Sequence, residues 1–112
     1  MDISVDNKIV LSDVDEAKGF LKRLRGLMFK NSSGNKNKLF IRRCNWIHTM
    51  FMRFPISVIY VDANNVVIDV DPYVTPWKMC MPRLKAKHVV ELEADPKKIN
   101  TISQGEVLKC TV

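Results

Sequence analysis

The chain has 112 residues, of which 46% are hydrophobic and 27% charged, and this length argues for a single domain over residues 1–112. It is too short for a (β/α)₈ barrel, which typically needs about 250 residues. The formal net charge is +6, and the positive charge is concentrated between Glu16 and Asp62, where no acidic residue occurs.

The first elements predicted along the chain are a hairpin and a helix. Residues 3–5 and 8–11 flank Asp6-Asn7, which is typical of two short strands joined by a turn. From about Ser12 to Met28, apolar residues recur at spacings of three and four, with Ser12 placed as an N-cap and Gly26 near the end. We therefore expect one amphipathic N-terminal helix.

The remaining elements are mostly strands. Residues 39–54 carry apolar side chains on both alternating sets, which predicts a strand buried on both faces. Residues 56–61 and 66–70 flank an Asp-Ala-Asn-Asn turn and predict a hairpin. Residues 87–92 and 107–111 predict further strands, and Asp95 before Pro96 predicts a short helical turn near Pro96 to Ile102. The predicted fold is α+β and mostly antiparallel, a small barrel-like or strongly curled sheet with one N-terminal helix.

Two blocks of the sequence resemble a known family from about Ala17 to the C-terminus. Arg23-x-x-Gly-Leu-Met28 and Ile47-His-Thr-x-x-Met-Arg-Phe-Pro-Ile56 are similar to motifs of domain of unknown function 192, and a Pro-Trp pair and a Val-Val-Glu-Leu strand follow in family order. The resemblance implies a compact β-rich domain and supplies no activity. The chain departs from the family at Ser57, where an aspartate is usual, and at Asp95, where a glycine is usual.

Four residues in and near the central block suit a ligand pocket: Trp46, His48, Arg53 and Trp77. Two aromatic rings, an imidazole and a guanidinium hold a small anionic or planar ligand by stacking and charge-assisted hydrogen bonds. We therefore interpret the protein as a non-catalytic binding module with a pocket near the strand from Trp46 to Arg53. The partner is then a small ligand of unknown identity, and no cofactor is expected.

A nucleic acid or another polyanion is the alternative partner. The most concentrated cations are Lys36, Lys38, Arg42 and Arg43, with aromatic residues nearby for base stacking. Against this interpretation, neighbouring residues of a strand point to opposite faces, which separates Arg42 from Arg43. The sequence also lacks the RNP, KH and double-stranded-RNA-binding signatures.

Catalysis and metal binding are disfavoured. Cys44 and His48 lie four residues apart, about 13 Å on an extended strand, and neither a nucleophile elbow nor a phosphate-binding glycine loop occurs. Methionines such as Met50 and Met79 are ligands that Cu(I) prefers, but methionine is also an ordinary core filler. We therefore expect neither catalytic residues nor a metal site.

The compartment is inferred from cysteines and targeting signals. Three cysteines are present, without a Cys-x-x-Cys pair, and the N-terminus lacks the basic start and apolar run of a signal peptide. Apolar runs stay below the roughly 18 residues that span a membrane. We therefore expect a cytoplasmic protein without a membrane span.

Overall fold

The computed structural model describes residues 1–17, 19, 25–32 and 37–111. Within these ranges the elements follow in chain order as β1 (Asp2–Val5), β2 (Lys8–Leu11), β3 (Asp15–Ala17), β4 (Lys38–Arg42), β5 (Ile56–Val61), β6 (Val67–Val74), β7 (His88–Glu93), α1 (Pro96–Ile99) and β8 (Lys109–Thr111).

The strands form two sheets. The smaller has the order β2-β1-β8 and is antiparallel. The larger has the order β3-β4-β7-β5-β6 and is antiparallel except for the parallel pair β3–β4. Each sheet ends in two edge strands over the described residues, so the expected barrel-like sheet is wrong: the sheets do not close.

The helix expected from Ser12 to Met28 is also wrong. Asp15–Ala17 form β3, which pairs with β4 in the larger sheet. Val14 and Ala17, three residues apart, enter different hydrophobic clusters, whereas on a helix they would share one face. Sheet pairing and burial on two sides therefore override the helical spacing; residues 18 and 20–24 of this segment lie outside the described ranges.

The larger sheet is buried on both faces. One face shares a hydrophobic cluster with the smaller sheet and α1, to which β5 and β7 contribute Ile59 and Val90. The other face forms a second cluster that includes Val58 and Val89. Residues outside the strands cover this second face, among them Leu27, Ile47, Met52, Phe54 and Ala86.

Two turns agree with their sequence predictions. The Asp62 carboxylate accepts hydrogen bonds from the backbone N–H groups of Asn64 and Val66 at 2.8 and 3.0 Å, which shapes the β5–β6 turn. Asp95 caps α1 by accepting from the Lys98 N–H at 3.2 Å, with Pro96 in the first turn. No helix in the described part of the chain is long and apolar enough to cross a membrane.

Candidate functional site

Three segments outside the sheets cover the second face of the larger sheet: residues 25–32, 43–54 and 75–87, here called the loop layer. The strand predicted through Trp46 to Arg53 is not continuous. His48 forms an isolated antiparallel bridge with Met79, and the chain then turns, with the Met52 N–H donating to the Thr49 carbonyl at 3.1 Å. The candidate residues of the central block therefore lie on an irregular segment.

Thr49 holds two parts of the loop layer together. Its side chain is fully buried. Its hydroxyl donates to the Thr75 carbonyl at 2.7 Å and accepts from the Lys78 N–H at 2.8 Å. Its carbonyl accepts from the Trp77 N–H at 2.9 Å. This residue therefore fixes the position of Trp77 relative to the central block.

Three aromatic side chains form a contiguous group on the outside of the loop layer, here called the aromatic cluster: Phe29, Phe51 and Trp77. The Phe29 and Phe51 ring centroids are 5.3 Å apart, and those of Phe51 and Trp77 are 4.9 Å apart. The three residues are 47%, 47% and 57% exposed. The rings therefore contact each other while leaving about half of their surface to solvent.

The backbone of the aromatic cluster is strained. Phe29, Phe51 and Trp77 have φ values of 65°, 62° and 67°, in the left-handed region, which costs a non-glycine residue roughly 1–2 kcal/mol. An aromatic pair returns about 0.5–1.5 kcal/mol beyond its buried area. The rings keep this arrangement with about half of their surface exposed to solvent. Strain of this kind is concentrated at binding sites.

Arg53 lies beside the aromatic cluster. The Phe29 N–H donates to the Phe51 carbonyl at 3.1 Å, and two residues further along both segments Arg53 donates from Nη1 to Asn31 Oδ1 at 2.6 Å. The two segments therefore run side by side, with the Arg53–Asn31 pair two residues beyond the Phe29–Phe51 pair. Arg53 is exposed, and a guanidinium has five N–H donors, of which this contact uses one.

Trp46 and His48 form a second aromatic contact in the loop layer. Their ring centroids are 6.0 Å apart, and Trp46 is exposed. The His48 Nδ1 is buried without a hydrogen-bond partner within the described residues. The four predicted pocket residues are thus found in three contacts, Trp46 with His48, Trp77 with Phe51 and Arg53 with Asn31.

The residues of the predicted polyanion site are engaged locally. Lys38 donates from Nζ to the Ser12 carbonyl at 3.0 Å. Arg42 forms an ion pair with Glu16. Arg43 lines a cleft of about 450 Å³, and Lys36 lies outside the described residues.

Sequence reasoning missed a buried carboxylate beneath the loop layer. Glu91, in the middle of β7, has Leu39 and Val58 as register partners and is 2% exposed. The Leu27 N–H donates to this carboxylate, and Oε2 has no hydrogen-bond partner in the described parts of the chain. Burial raises the pKa of Glu91 to about 7, against the opposing effect of the Leu27 bond. The signal was a lone acidic residue inside the apolar Val-Val-Glu-Leu run.

Gly26 explains how the loop layer approaches this carboxylate. Its φ is +53°, and a Cβ built there would lie 2.9 Å from Glu91 Oε2. A side chain at this position would therefore displace the carboxylate. The Gly-Leu-Met motif and the Val-Val-Glu-Leu strand, far apart in sequence, are one structural unit.

The two departures from the family pattern contact each other. Ser57 is fully buried; its hydroxyl donates to the Pro72 carbonyl at 2.7 Å and accepts from the Asp95 N–H at 3.1 Å. Ser57 thus positions the residue that caps α1. Its role in this chain is structural.

Comparison with known proteins identifies relatives over nearly the whole chain. The family model DUF192, "Uncharacterized ACR, COG1430", matches residues 2–110. A UPF0127 protein of Pyrococcus abyssi is 32% identical over 96 residues, covering 83% of this chain and 81% of the relative. A UPF0127 protein of Pyrococcus horikoshii is 37% identical over 84 residues, covering 70% of each chain.

Among solved structures, a protein of unknown function from Novosphingobium aromaticivorans superposes with a TM-score of 0.82 at 15% identity. The alignment covers 97% of this chain and 84% of that one. At this identity the likeness concerns the fold alone.

Proposed function

This chain belongs to the DUF192 family, whose description names no activity. From the geometry of the site we propose that it is a single-domain binding module that takes a small ligand on the aromatic cluster. The observation that carries the proposal is the conformation of Phe29, Phe51 and Trp77. Their left-handed backbones hold three touching rings at the surface, with about half of each ring exposed. A bound planar group would cover the exposed ring faces.

The neighbouring cation defines the ligand class. Arg53 follows Phe51 by two residues and is tied to Asn31, and a guanidinium binds carboxylate or phosphate through charge-assisted hydrogen bonds. The ligand we propose therefore combines a planar apolar face with one anionic group. Trp46 and His48 form their own ring contact in the loop layer. Stacking and hydrogen bonding are binding chemistry, consistent with a module that does not transform its ligand.

The experiment uses three probes that separate the two contributions: 4-hydroxybenzoate, phenol and acetate. Binding is followed by the indole N–H resonances of Trp77 and Trp46 in ¹⁵N-labelled protein. We expect saturable shifts at Trp77 with 4-hydroxybenzoate, about ten-fold weaker binding of phenol, and no cluster shift with acetate. The ten-fold factor corresponds to one charge-assisted hydrogen bond, about 1.4 kcal/mol.

Two substitutions and one matched control assign the site. Phe51→Ala removes the central ring and should weaken 4-hydroxybenzoate binding at least ten-fold, while Arg53→Gln should make 4-hydroxybenzoate and phenol bind equally. Tyr73→Ala removes an exposed aromatic ring on β6 and should change neither. Equal affinities in the Phe51 and Tyr73 variants, or unmoved Trp77 resonances with every probe, would contradict the proposal.

Polyanion binding through the region from Lys36 to Arg43 stays a prediction and takes second place. The contacts of Lys38 with Ser12 and of Arg42 with Glu16 commit two of its cations to the fold. Its signature would be affinity for oligonucleotides that falls steeply with salt. The aromatic cluster, by contrast, predicts binding in which much of the affinity survives moderate salt.

A further inference from the structure

One concave surface of the molecule is lined by none of Phe29, Phe51 and Trp77. It is a cleft of about 450 Å³ lined by residues 43–45, 63 and 86–88, here called the basic cleft. Its volume is within the usual range of small-molecule sites, about 300–1,000 Å³. Its walls come from the turn after β4, the β5–β6 turn and the start of β7.

The walls of the basic cleft are tied together by backbone hydrogen bonds. The Cys44 N–H donates to the Lys87 carbonyl at 2.9 Å, and the Lys87 N–H donates to the Val61 carbonyl at 2.7 Å. The Arg43 N–H donates to His88 Nδ1 at 3.1 Å. The cleft is therefore preorganised, which lowers the entropy lost on binding.

Two positively charged side chains line the basic cleft. Arg43 and Lys87 are exposed and line it. The pKa of His88 is lowered first by burial and then by the positive charges of Arg42 and Arg43, while Asp62 acts in the opposite direction. The Asp62 carboxylate already accepts two backbone N–H groups of its own turn, so its charge is partly compensated.

His88 supplies a directional donor. Because Nδ1 accepts the Arg43 N–H, the neutral imidazole carries its proton on Nε2. Burial and the neighbouring cations hold the ring neutral by lowering its pKa. The ring also packs against Phe40, with centroids 5.6 Å apart, which fixes its orientation.

Arg43 is held in a strained conformation at this site. Its φ is 56°, and the left-handed turn is what directs its N–H to His88. Strain at a non-glycine residue that also lines a cleft is typical of ligand clamps.

We propose that the basic cleft binds a small organic anion, a carboxylate or a phosphate monoester, with Arg43 and Lys87 supplying the charge and His88 Nε2 a neutral hydrogen-bond donor. The site is separate from the aromatic cluster and does not depend on it. An oxyanion would occupy the positive field that now acts on His88, and would thereby stabilise the protonated imidazole.

The test measures the pKa of both histidines by ¹H–¹³C NMR, with inorganic phosphate and citrate as separate probes at constant ionic strength set by chloride. We expect either probe to raise the pKa of His88 by about one, the usual effect of an opposite charge within several ångströms, and to leave His48 unchanged. The stronger probe distinguishes a phosphate site from a carboxylate site.

Three variants give the contrast. Lys87→Gln and Arg43→Asn each remove one charge, and asparagine tolerates the left-handed backbone at position 43; both should abolish the rise of the His88 pKa. Lys85→Gln removes the same charge two residues away, outside the cleft lining, and should behave as the wild type. The proposal is overturned if neither anion moves His88, if His48 moves equally, or if Lys87→Gln and Lys85→Gln respond alike.

Discussion

At the scale of single residues, Ser57 and Asp95 show how two departures from a family pattern compensate each other. A serine can donate and accept at once, and Ser57 does both, to Pro72 and from Asp95. An ionised aspartate at position 57 could only accept. The aspartate would have no proton to donate to the Pro72 carbonyl, and it would lie near the Asp95 carboxylate.

The pair therefore predicts non-additive mutants. We expect Ser57→Asp to lower the free energy of unfolding by about 2 kcal/mol, because it buries a charge and orphans a carbonyl. Asp95→Gly alone should cost only a few tenths of a kcal/mol, because glycine is a tolerable N-cap. The double variant should recover about 1 kcal/mol of the Ser57→Asp loss. Urea unfolding measures all three, and additive effects would contradict the coupling.

At the scale of elements, Thr49 connects two segments of the loop layer by hydrogen bonds. Its hydroxyl bonds on both sides of Trp77, to Thr75 and from Lys78. Thr49 thus holds the backbone on both sides of Trp77, and the position of the Trp77 ring against Phe51 depends on these two hydrogen bonds.

We expect Thr49→Val to destabilise the protein by about 2 kcal/mol, since it removes two hydrogen bonds, to the Thr75 carbonyl and from the Lys78 N–H, each contributing about 1 kcal/mol. Amide hydrogen exchange at Trp77 and Lys78 should accelerate more than in the sheets. Thr75→Val makes the same substitution at an exposed side chain of the segment that Thr49 contacts. It keeps the backbone carbonyl that accepts from the Thr49 hydroxyl. Equal exchange rates in the two variants would show that Thr49 does not stabilise the segment around Trp77 and Lys78.

Local signals account for the elements that the sequence predicted well. The Asp62 carboxylate shapes the β5–β6 turn by accepting the N–H groups of Asn64 and Val66, and Asp95 with Pro96 starts α1. These interactions span only a few residues, so they are visible without the fold.

Non-local pairing accounts for the errors. The spacing of apolar residues predicts a helix from Ser12 to Met28, but β3 pairs with a strand that begins at Lys38. The sequence predicts Trp77 and Arg53 as ligand contacts and gives no signal for their neighbours Phe29 and Phe51. Their left-handed backbones are set by contacts between segments, which no composition or periodicity encodes.

At the scale of the whole molecule, the larger sheet separates two hydrophobic clusters and carries a carboxylate in one of them. Glu91 is buried on the face covered by the loop layer, whereas Glu93, on the same strand, accepts hydrogen bonds from Ser32 and Asn37. Two buried carboxylates of one strand therefore differ in how many hydrogen bonds they accept.

This difference predicts a pH-dependent stability. The pKa of Glu91 rises from 4.5 to about 7 on folding, so the folded state binds the proton more tightly. Its contribution is fully present below about pH 4.5 and is lost as the pH rises through about 7, a loss of about 3 kcal/mol. We expect Glu91→Gln to remove this fall and to be more stable than the wild type at pH 8.

Chemical unfolding from pH 4 to pH 8 measures the effect. Glu93→Gln is the matched control and should keep the wild-type dependence on pH while losing stability at every pH. A Glu91→Gln curve parallel to that of the wild type would contradict the buried ionisation.

The position of β7 in the larger sheet has a consequence for the order of folding. β7 lies between β4 and β5 but follows both in the chain. During synthesis the pairs β3–β4 and β5–β6 emerge first, and each keeps an unpaired inner edge until His88–Glu93 arrives. The central ladder therefore closes late, through contacts distant in sequence, which slows folding. Until then the nascent chain presents two open strand edges, the surfaces most prone to pair with a neighbouring chain.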